Sequence, residues 1–491
     1  MRSFRYGLEL RVKGMEPGGP EKFRGKSEIF QRSRSIETNS AAKVFLAETK
    51  CSRLAGVAFI SQVCCKFAGV TQPQRSLLSS RVVGSLPLLL LAFVGCNRDR
   101  FPDVPPGYHE FAYVSNGASN TVSVLDLVYM REDRTLQVGS QPSGMAVNPR
   151  RDEVYVVNSL SGTVSVIDTK ANRVVATIPV HKLPYSIDVD AAGHRAYVAN
   201  SGSNSVSVID LDSRREVALA GTGEQPGLAK VAPDMRTLVV TNRGSGSVSI
   251  FALEPYSPVD AHVLPSLLPS PKTESKQPPP RLRAAFSGCP GATDAVILPD
   301  SSKAFIACSN GHQVMAVSLA AAPDSWAAKQ NPSLLTDHML TLLDVGTTPV
   351  QLALKPDGGQ IFCSNFNSDS ISSIDTQTNE VSRTDTIANR PVYSIVSADG
   401  STLWISNFGA DSINLWSIDD GQMEPYSVHT GHAPDALAFS ADQHLLLAAD
   451  AHSGDVSVIR TEDKNGPALF TILPAGGSPN AIVVKAMPRK P

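Results

Sequence analysis

LPYSIDVDAAGHRAYVANSGSNSVSVIDLDSRREVALAG, residues 183–221, holds four short runs, 186–189, 196–200, 206–210 and 216–219. Each is bounded by Gly, Asn, Asp, Ser or Pro, the residues that supply the backbone angles of turns. Each run is long enough for one strand of roughly 4 to 6 residues. No apolar spacing of 3.6 residues runs through the stretch, so a helical reading has nothing to stand on. Four strands in about 40 residues is the content of one propeller blade.

The stretch is one copy of a template. Its Tyr-type position recurs at Tyr113, Tyr155, Tyr197, Val239, Phe305, Phe362, Trp404 and Leu447. The first four positions are 42 residues apart, and only the steps to Phe305 and Phe362 are much longer. Periodicity of this length means a solenoid or a propeller. The runs TVSVIDT (163–169) and SVSVIDL (205–211) carry Val on one face and Ser and Ile on the other. Neither face is strongly polar, which predicts sheets buried on both sides, as blades between blades are.

Ring closure follows from a second position. A Pro-type residue stands 13 before each Tyr-type residue, at Pro142, Pro184, Pro226, Ala292, Pro349, Pro391 and Pro434. Tyr113 has no such residue in front of it, while Pro479 opens a strand whose partner would fall past the last residue, 491. The C-terminal strand is therefore predicted to complete the N-terminal blade, hiding both sheet edges. The fold class expected is all-β, an eight-bladed propeller of four-stranded antiparallel blades over residues 108–488.

The strings YVSN at Tyr113, YVVN at Tyr155, YVAN at Tyr197 and VVTN at Val239, each followed by an S/T-V-S-V/I run, resemble the YVTN-type β-propeller repeats. That family occurs in exported bacterial and archaeal proteins, in lactonase-like propellers and in propeller domains of redox enzymes. The resemblance implies a propeller, with seven blades as the alternative count, and leaves the function open.

Ahead of the repeats, LPLLLLAFVGC (86–96) follows Arg75 and Arg81. The apolar run is too short to span a bilayer but fits a signal-peptide core. It looks like a lipoprotein signal over 81–96, with Gly95 at the cleavage position and Cys96 the lipidated residue; an ordinary signal peptide is the alternative. Residues 1–80 read as a disordered or non-native extension, with initiation expected near Leu77 or Val82, and 97–107 as a linker. Asn97 after the cysteine favours the outer membrane. The expected location is thus the cell envelope, and the expected assembly a monomer.

The formal net charge is −2, with no basic block in the repeats, which argues against nucleic acid as a partner. No G-x-S-x-G elbow and no phosphate loop is present. Cys289 and Cys308 flank one hairpin, and export would permit a disulfide; their hairpin register is about 4 residues off, so two buried thiols remain the alternative.

Recurrent Asp residues in the turns (Asp168, Asp210, Asp375) are expected to bond backbone. Function is expected in departures from the template on the channel-mouth face: His181, Lys182, Arg243, His312, Arg390, His429, His432, Asp435, Asp450 and His452. This set reads first as a binding surface for a protein, a sugar or another small molecule, with no cofactor. A metal or general base among His429, His432, Asp450 and His452 is the alternative, in a lactonase-like hydrolase or a redox-associated propeller. Two insertions interrupt the array. A Pro-rich one at 255–285 is expected to project from the mouth between the fourth and fifth blades. A second, at 320–338, is expected on the opposite face and contains Trp326.

Overall fold

The computed structural model describes residues 107–256, 278–323, 325–462 and 466–487. The expectations for residues 1–106, Cys96 included, lie outside them. The described residues form 32 strands, from β1 (His109–Asn116) to β32 (Pro479–Met487). They make eight four-stranded antiparallel sheets. The chain is an eight-bladed β-propeller.

Seven blades are built from consecutive strands, and the first is shared between the two ends of the repeat array. Its order is β3-β2-β1-β32. The closing ladder runs from His109↔Met487 to Asn116↔Pro479, with Tyr113 opposite Val483. The C-terminal strand does complete the N-terminal blade.

The innermost strand of each blade begins at the Pro-type position. These are β4 (Pro142–Val147), β8 (Pro184–Val189), β12 (Pro226–Val231), β16 (Ala292–Ile297), β20 (Pro349–Leu354), β24 (Pro391–Val396), β28 (Pro434–Phe439) and β32. Each touches the innermost strand on either side, which closes the ring around a central channel. The second strand of each blade carries the Tyr-type residue, and all eight are at most 4% exposed. Burying each such side chain stabilises the fold by about 1.5–3 kcal/mol. Outermost strands are largely exposed, as in β3 (Arg131–Gln137).

A side-chain brace repeats from blade to blade. The Asn ending the second strand donates through Nδ2 to two hydroxyls on the third strand. Asn158 bonds Thr163 and Ser165, Asn200 bonds Ser205 and Ser207, and Asn365 bonds Ser370 and Ser372. In five blades a glycine three residues before the Pro-type position leaves room for the residue at that place: a Cβ on Gly139 would lie 2.7 Å from Asn158. In the fifth blade both partners differ, and the Asn and Gly positions are held by Cys308 and Cys289. The two are joined by a disulfide, with Cα atoms 4.8 Å apart. Hairpin register does not bear on this bond, because Cys289 precedes β16 and folds over the end of the next strand.

The Pro-rich insertion requires a correction. It lies within the fourth blade, between β14 (Ser247–Ala252) and β15 (Arg281–Ser287), not between two blades. Its flanks open on the face opposite the mouth. The second insertion leaves β18 (Gln313–Ser318) and returns at β19 (His338–Asp344), on that same opposite face. The recurrent turn aspartates cap backbone: Asp168 accepts from the N–H groups of Lys170 and Ala171, and Asp375 from those of Gln377 and Thr378.

Three equivalent tyrosines make a graded test. Tyr113 Oη donates to Asn172, and Tyr155 Oη bonds Glu153 and Asn148, whereas Tyr197 Oη has no partner among the described residues. Tyr→Phe at 113 and 155 is expected to cost about 1 kcal/mol each. Tyr197→Phe is expected to be neutral or stabilising. Urea unfolding of the three variants checks the order.

Candidate ligand site in the central channel

The channel encloses a cavity of about 500 Å³, lined by the inner strands of all eight blades and by Arg243. The third residue of each inner strand lines it, and in five of the strands the fifth residue does too. In the eighth, first and second blades these are small or apolar: Ala436, Ala481, Val483, Gly144 and Ala146. On the other arc they include the polar Ser186, Asp188, Lys230, Asp294, Gln351 and Tyr393, with Leu228 and Val296 between them.

The polar residues strap neighbouring inner strands together. Asp188 Oδ2 accepts from the Val231 N–H at 2.9 Å, and Asp294 Oδ2 from the Leu352 N–H at 2.9 Å. Gln351 accepts from the Ser394 N–H at 2.9 Å and donates to the Ser394 carbonyl at 3.2 Å. An inner strand has one edge without a strand partner, so its backbone groups need such side chains.

Lys230 stands at the centre of this arc, its Nζ 3.2 Å from Asp188 Oδ1. Its side chain keeps 44% of its surface open, and it lines the channel, where protein surrounds it. The Asp188 carboxylate raises its pKa above the ordinary lysine value, against the opposing effect of burial, and Asp294 and Tyr393 add to the rise. The ammonium therefore stays charged at neutral pH and acts as a donor and a point charge, not as a neutral nucleophile.

Beside the channel lies an aromatic rim. Val350, Phe366 and Val392 form a buried cluster against which Tyr393 and Phe408 pack. The Phe366 and Phe408 centroids are 6.2 Å apart, and Arg390 lies over Phe366 at 5.6 Å. Phe408 meets His452 edge-on at 5.2 Å. Val350 and Tyr393 belong to both the rim and the channel wall.

The mouth residues expected from the sequence separate into groups. Arg243 lines the channel. Arg390 and His452 belong to the rim. His432 Nδ1 lies 2.8 Å from Asp411 Oδ2. The Ala433 N–H, His432 and His452 together hold the Asp411 carboxyl below its usual range. His181 pairs with Glu216 at 3.3 Å, and with Lys182 it lines a separate surface groove. His312 Nδ1 accepts from the Thr348 N–H at 3.2 Å. His429 ends an exposed outer strand. Among the described residues no group of three or more His, Cys, Asp or Glu is arranged to hold a metal ion.

Asp435 and Asp450 are corrections, because they are buried rather than presented at the mouth, at 4% and 0% exposure. Asp435 follows the strand-opening proline, where Ser143 and Asn480 bond the backbone of the next blade. Asp450 occupies the brace position that is Asn in most blades. Its Oδ2 accepts from the Ser457 N–H at 3.1 Å and hydroxyl at 2.7 Å, and it sits across the hairpin from Asp455. Burial pushes the Asp450 carboxyl up to about 8; Asp455 adds to this, and the Ser457 hydroxyl opposes it. At neutral pH it is a protonated stand-in for the asparagine amide.

The family model described as "Lactonase, 7-bladed beta-propeller" matches residues 388–483, well under half of the chain. No curated protein matches. Among solved structures, the dihydro-heme d1 dehydrogenase NirN in complex with DHE is similar at 14% identity and a TM-score of 0.59, covering 78% of this chain and 76% of its own. A functionally unknown protein from Desulfotomaculum acetoxidans DSM 771 is similar at 13% identity and a TM-score of 0.50, covering 76% and 98%. A putative 6-phosphogluconolactonase from Bacteroides fragilis NCTC 9343 shows 15% identity and a TM-score of 0.49, covering 68% and 98%. At these identities the likeness is one of fold, and the class defined is the β-propeller.

Asp450 yields a pH prediction. The folded carboxyl ionises near 8 and the unfolded one near 3.8. The folded state thus holds a proton that the unfolded chain releases between those values, so its contribution is full below about pH 4 and falls as pH rises towards 8. Asp450→Asn is expected to raise the melting temperature at pH 8 and to change it little at pH 4. Calorimetry across that range checks the sign.

Proposed function

We propose that the protein is an exported, lipid-anchored propeller that binds a small polar ligand in its central channel. One observation carries this reading: Lys230 and Arg243 share a cavity of about 500 Å³ with Asp188, Asp294, Gln351 and Tyr393, on one arc of the ring. Its volume lies in the range of small-molecule sites, and polar and charged groups converge on one side of a wall whose other side is apolar. The opposite charges favour a ligand rich in hydroxyl or carbonyl groups, which can both donate and accept. The lipid-signal pattern at Cys96 supports export, and the Cys289–Cys308 disulfide is in keeping with an oxidising compartment.

The test is thermal shift with a panel of monosaccharides and aldonolactones. A ligand at one hundred times its Kd is expected to stabilise the protein by about 2.7 kcal/mol. Lys230→Met and Arg243→Gln are expected to abolish the shift while keeping the circular dichroism of the parent. A shift that survives both changes sinks the channel as the site, as does the absence of any shift.

Lactone hydrolysis in the same channel is a second reading, favoured by the lactonase-family match over 388–483. It would require Asp188 or Asp294 to guide an attacking water, and Lys230 or Arg243 to stabilise the oxyanion. Ring opening of δ-gluconolactone, followed with a pH indicator, decides between them. A rate above background that Asp294→Asn removes favours the enzyme, and a background rate leaves the binding reading.

A further inference from the structure

One departure from the template stands at the channel mouth with its side chain unmet. In all eight blades the residue before the Pro-type position has a φ between 47° and 68°, a left-handed conformation that favours glycine. Gly291 is the one glycine among the eight, and Arg390 is the one charged residue. Its backbone is held on both sides: the Arg390 N–H donates to Asp369 Oδ1 at 2.8 Å, and its carbonyl accepts from the Phe408 N–H at 2.9 Å. Its stem lies along Gly409, where an added Cβ would come within 3.2 Å of Arg390 Cδ. Nothing in this turn calls for a guanidinium, since Gln, Leu, Thr, Ala and Ser fill the same place in other blades.

The ring beneath the guanidinium is also a departure. In every blade the residue after the brace position donates its N–H to the carbonyl of the pre-proline residue, and in three blades it is a serine, at 159, 201 and 309. Ser159 and Ser309 each bond the opening carbonyl of the next inner strand. In the sixth and seventh blades the place is taken by Phe366 and Phe408, and Arg390 lies over Phe366. Among the described residues the guanidinium has no hydrogen-bond acceptor and no carboxylate partner. The carboxylates of the flanking loops are engaged elsewhere, Asp369 by the Arg390 backbone and Asp411 by the Ala433 N–H and His432. An arginine seated on an aromatic ring keeps its planar fork of donors available to a carboxylate, which it can take through two parallel bonds. The site is continuous with the channel: Phe366 packs with Val350, which lines it, and Arg390 directly precedes β24, whose third residue, Tyr393, lines it too.

We infer that the channel ligand is an acidic sugar whose carboxylate is bound by Arg390 at the mouth. This rests on the channel as the ligand site and adds the chemical class. Hydroxyl groups of the sugar meet the polar arc within, and the carboxylate stays at the rim. Deeper in, Lys230 already has the Asp188 carboxylate, and Asp294 would repel a second anion.

Isothermal titration of the full chain with three pairs of sugars tests it: glucose and glucuronate, galactose and galacturonate, mannose and mannuronate. At least one uronate is expected to bind about tenfold tighter than its neutral parent, as a charge-assisted hydrogen-bond pair provides. Added salt should narrow the gap. Arg390→Gln should close it, so that acid and parent bind alike, and Arg390→Lys, which keeps the charge without the fork, should leave part of it. Equal affinities within all three pairs overturn the inference and leave the channel reading standing. A preference for the uronate that survives Arg390→Gln does the same. Binding of none of the six overturns both. Tighter binding of glucose 6-phosphate than of glucuronate overturns the carboxylate assignment, in favour of a phosphate.

Discussion

The ladder between β1 and β32 is the constraint on which the rest of the structure depends. Each blade is a sheet with two modest faces, neither able to face water without loss, so the array is stable only as a closed ring. Closure makes the innermost strands neighbours of one another and creates the channel. It also leaves those strands with unpaired edge groups pointing inward. Asp188, Asp294 and Gln351 satisfy some of them, and so the polar character of the channel begins as a structural requirement. Lys230 goes further than that requirement: its hydrogen bond among the described residues is to the Asp188 carboxylate and not to a backbone group.

Repetition makes the departures informative. The Asn brace recurs because an amide can donate two hydrogen bonds to hydroxyls across a hairpin. Where Asp450 replaces it, the carboxyl must keep a proton to remain buried beside Asp455. Where Cys308 and Cys289 replace the pair, a covalent bond takes over the same contact. Both substitutions occur near the mouth, and both keep the local geometry while changing its chemistry.

The blade count, the Tyr-type core and the closing strand were legible in the sequence because they depend on period and on chain ends. The Pro-rich insertion was misplaced for a local reason. RLRAAFS at Arg281 begins eleven residues before Ala292, as the outer strands at Arg173 and Arg215 do before Pro184 and Pro226. That spacing marks it as the fourth strand of its blade, with the insertion ahead of it. The channel residues escaped because alternation assigns a side chain to one of two faces and does not say which strand borders the axis. A signal was nonetheless present, since SIDV, LAKV and ATDAV carry charge where GMAV, ALAF and AIVV do not. Loop histidines drew attention as departures, yet most serve turns or surface ion pairs.

The channel divides into an apolar arc, a charged arc and an aromatic rim, and this asymmetry depends on a ring held rigidly in register. Amide hydrogen exchange followed by mass spectrometry tests that most directly. If the first and last strands lock the ring, peptides covering 109–116 and 479–487 exchange only through the same global opening as the blade at 195–210. Exchange at both termini through a separate, lower-energy opening would contradict the account, because the ring would then stay folded without its clasp.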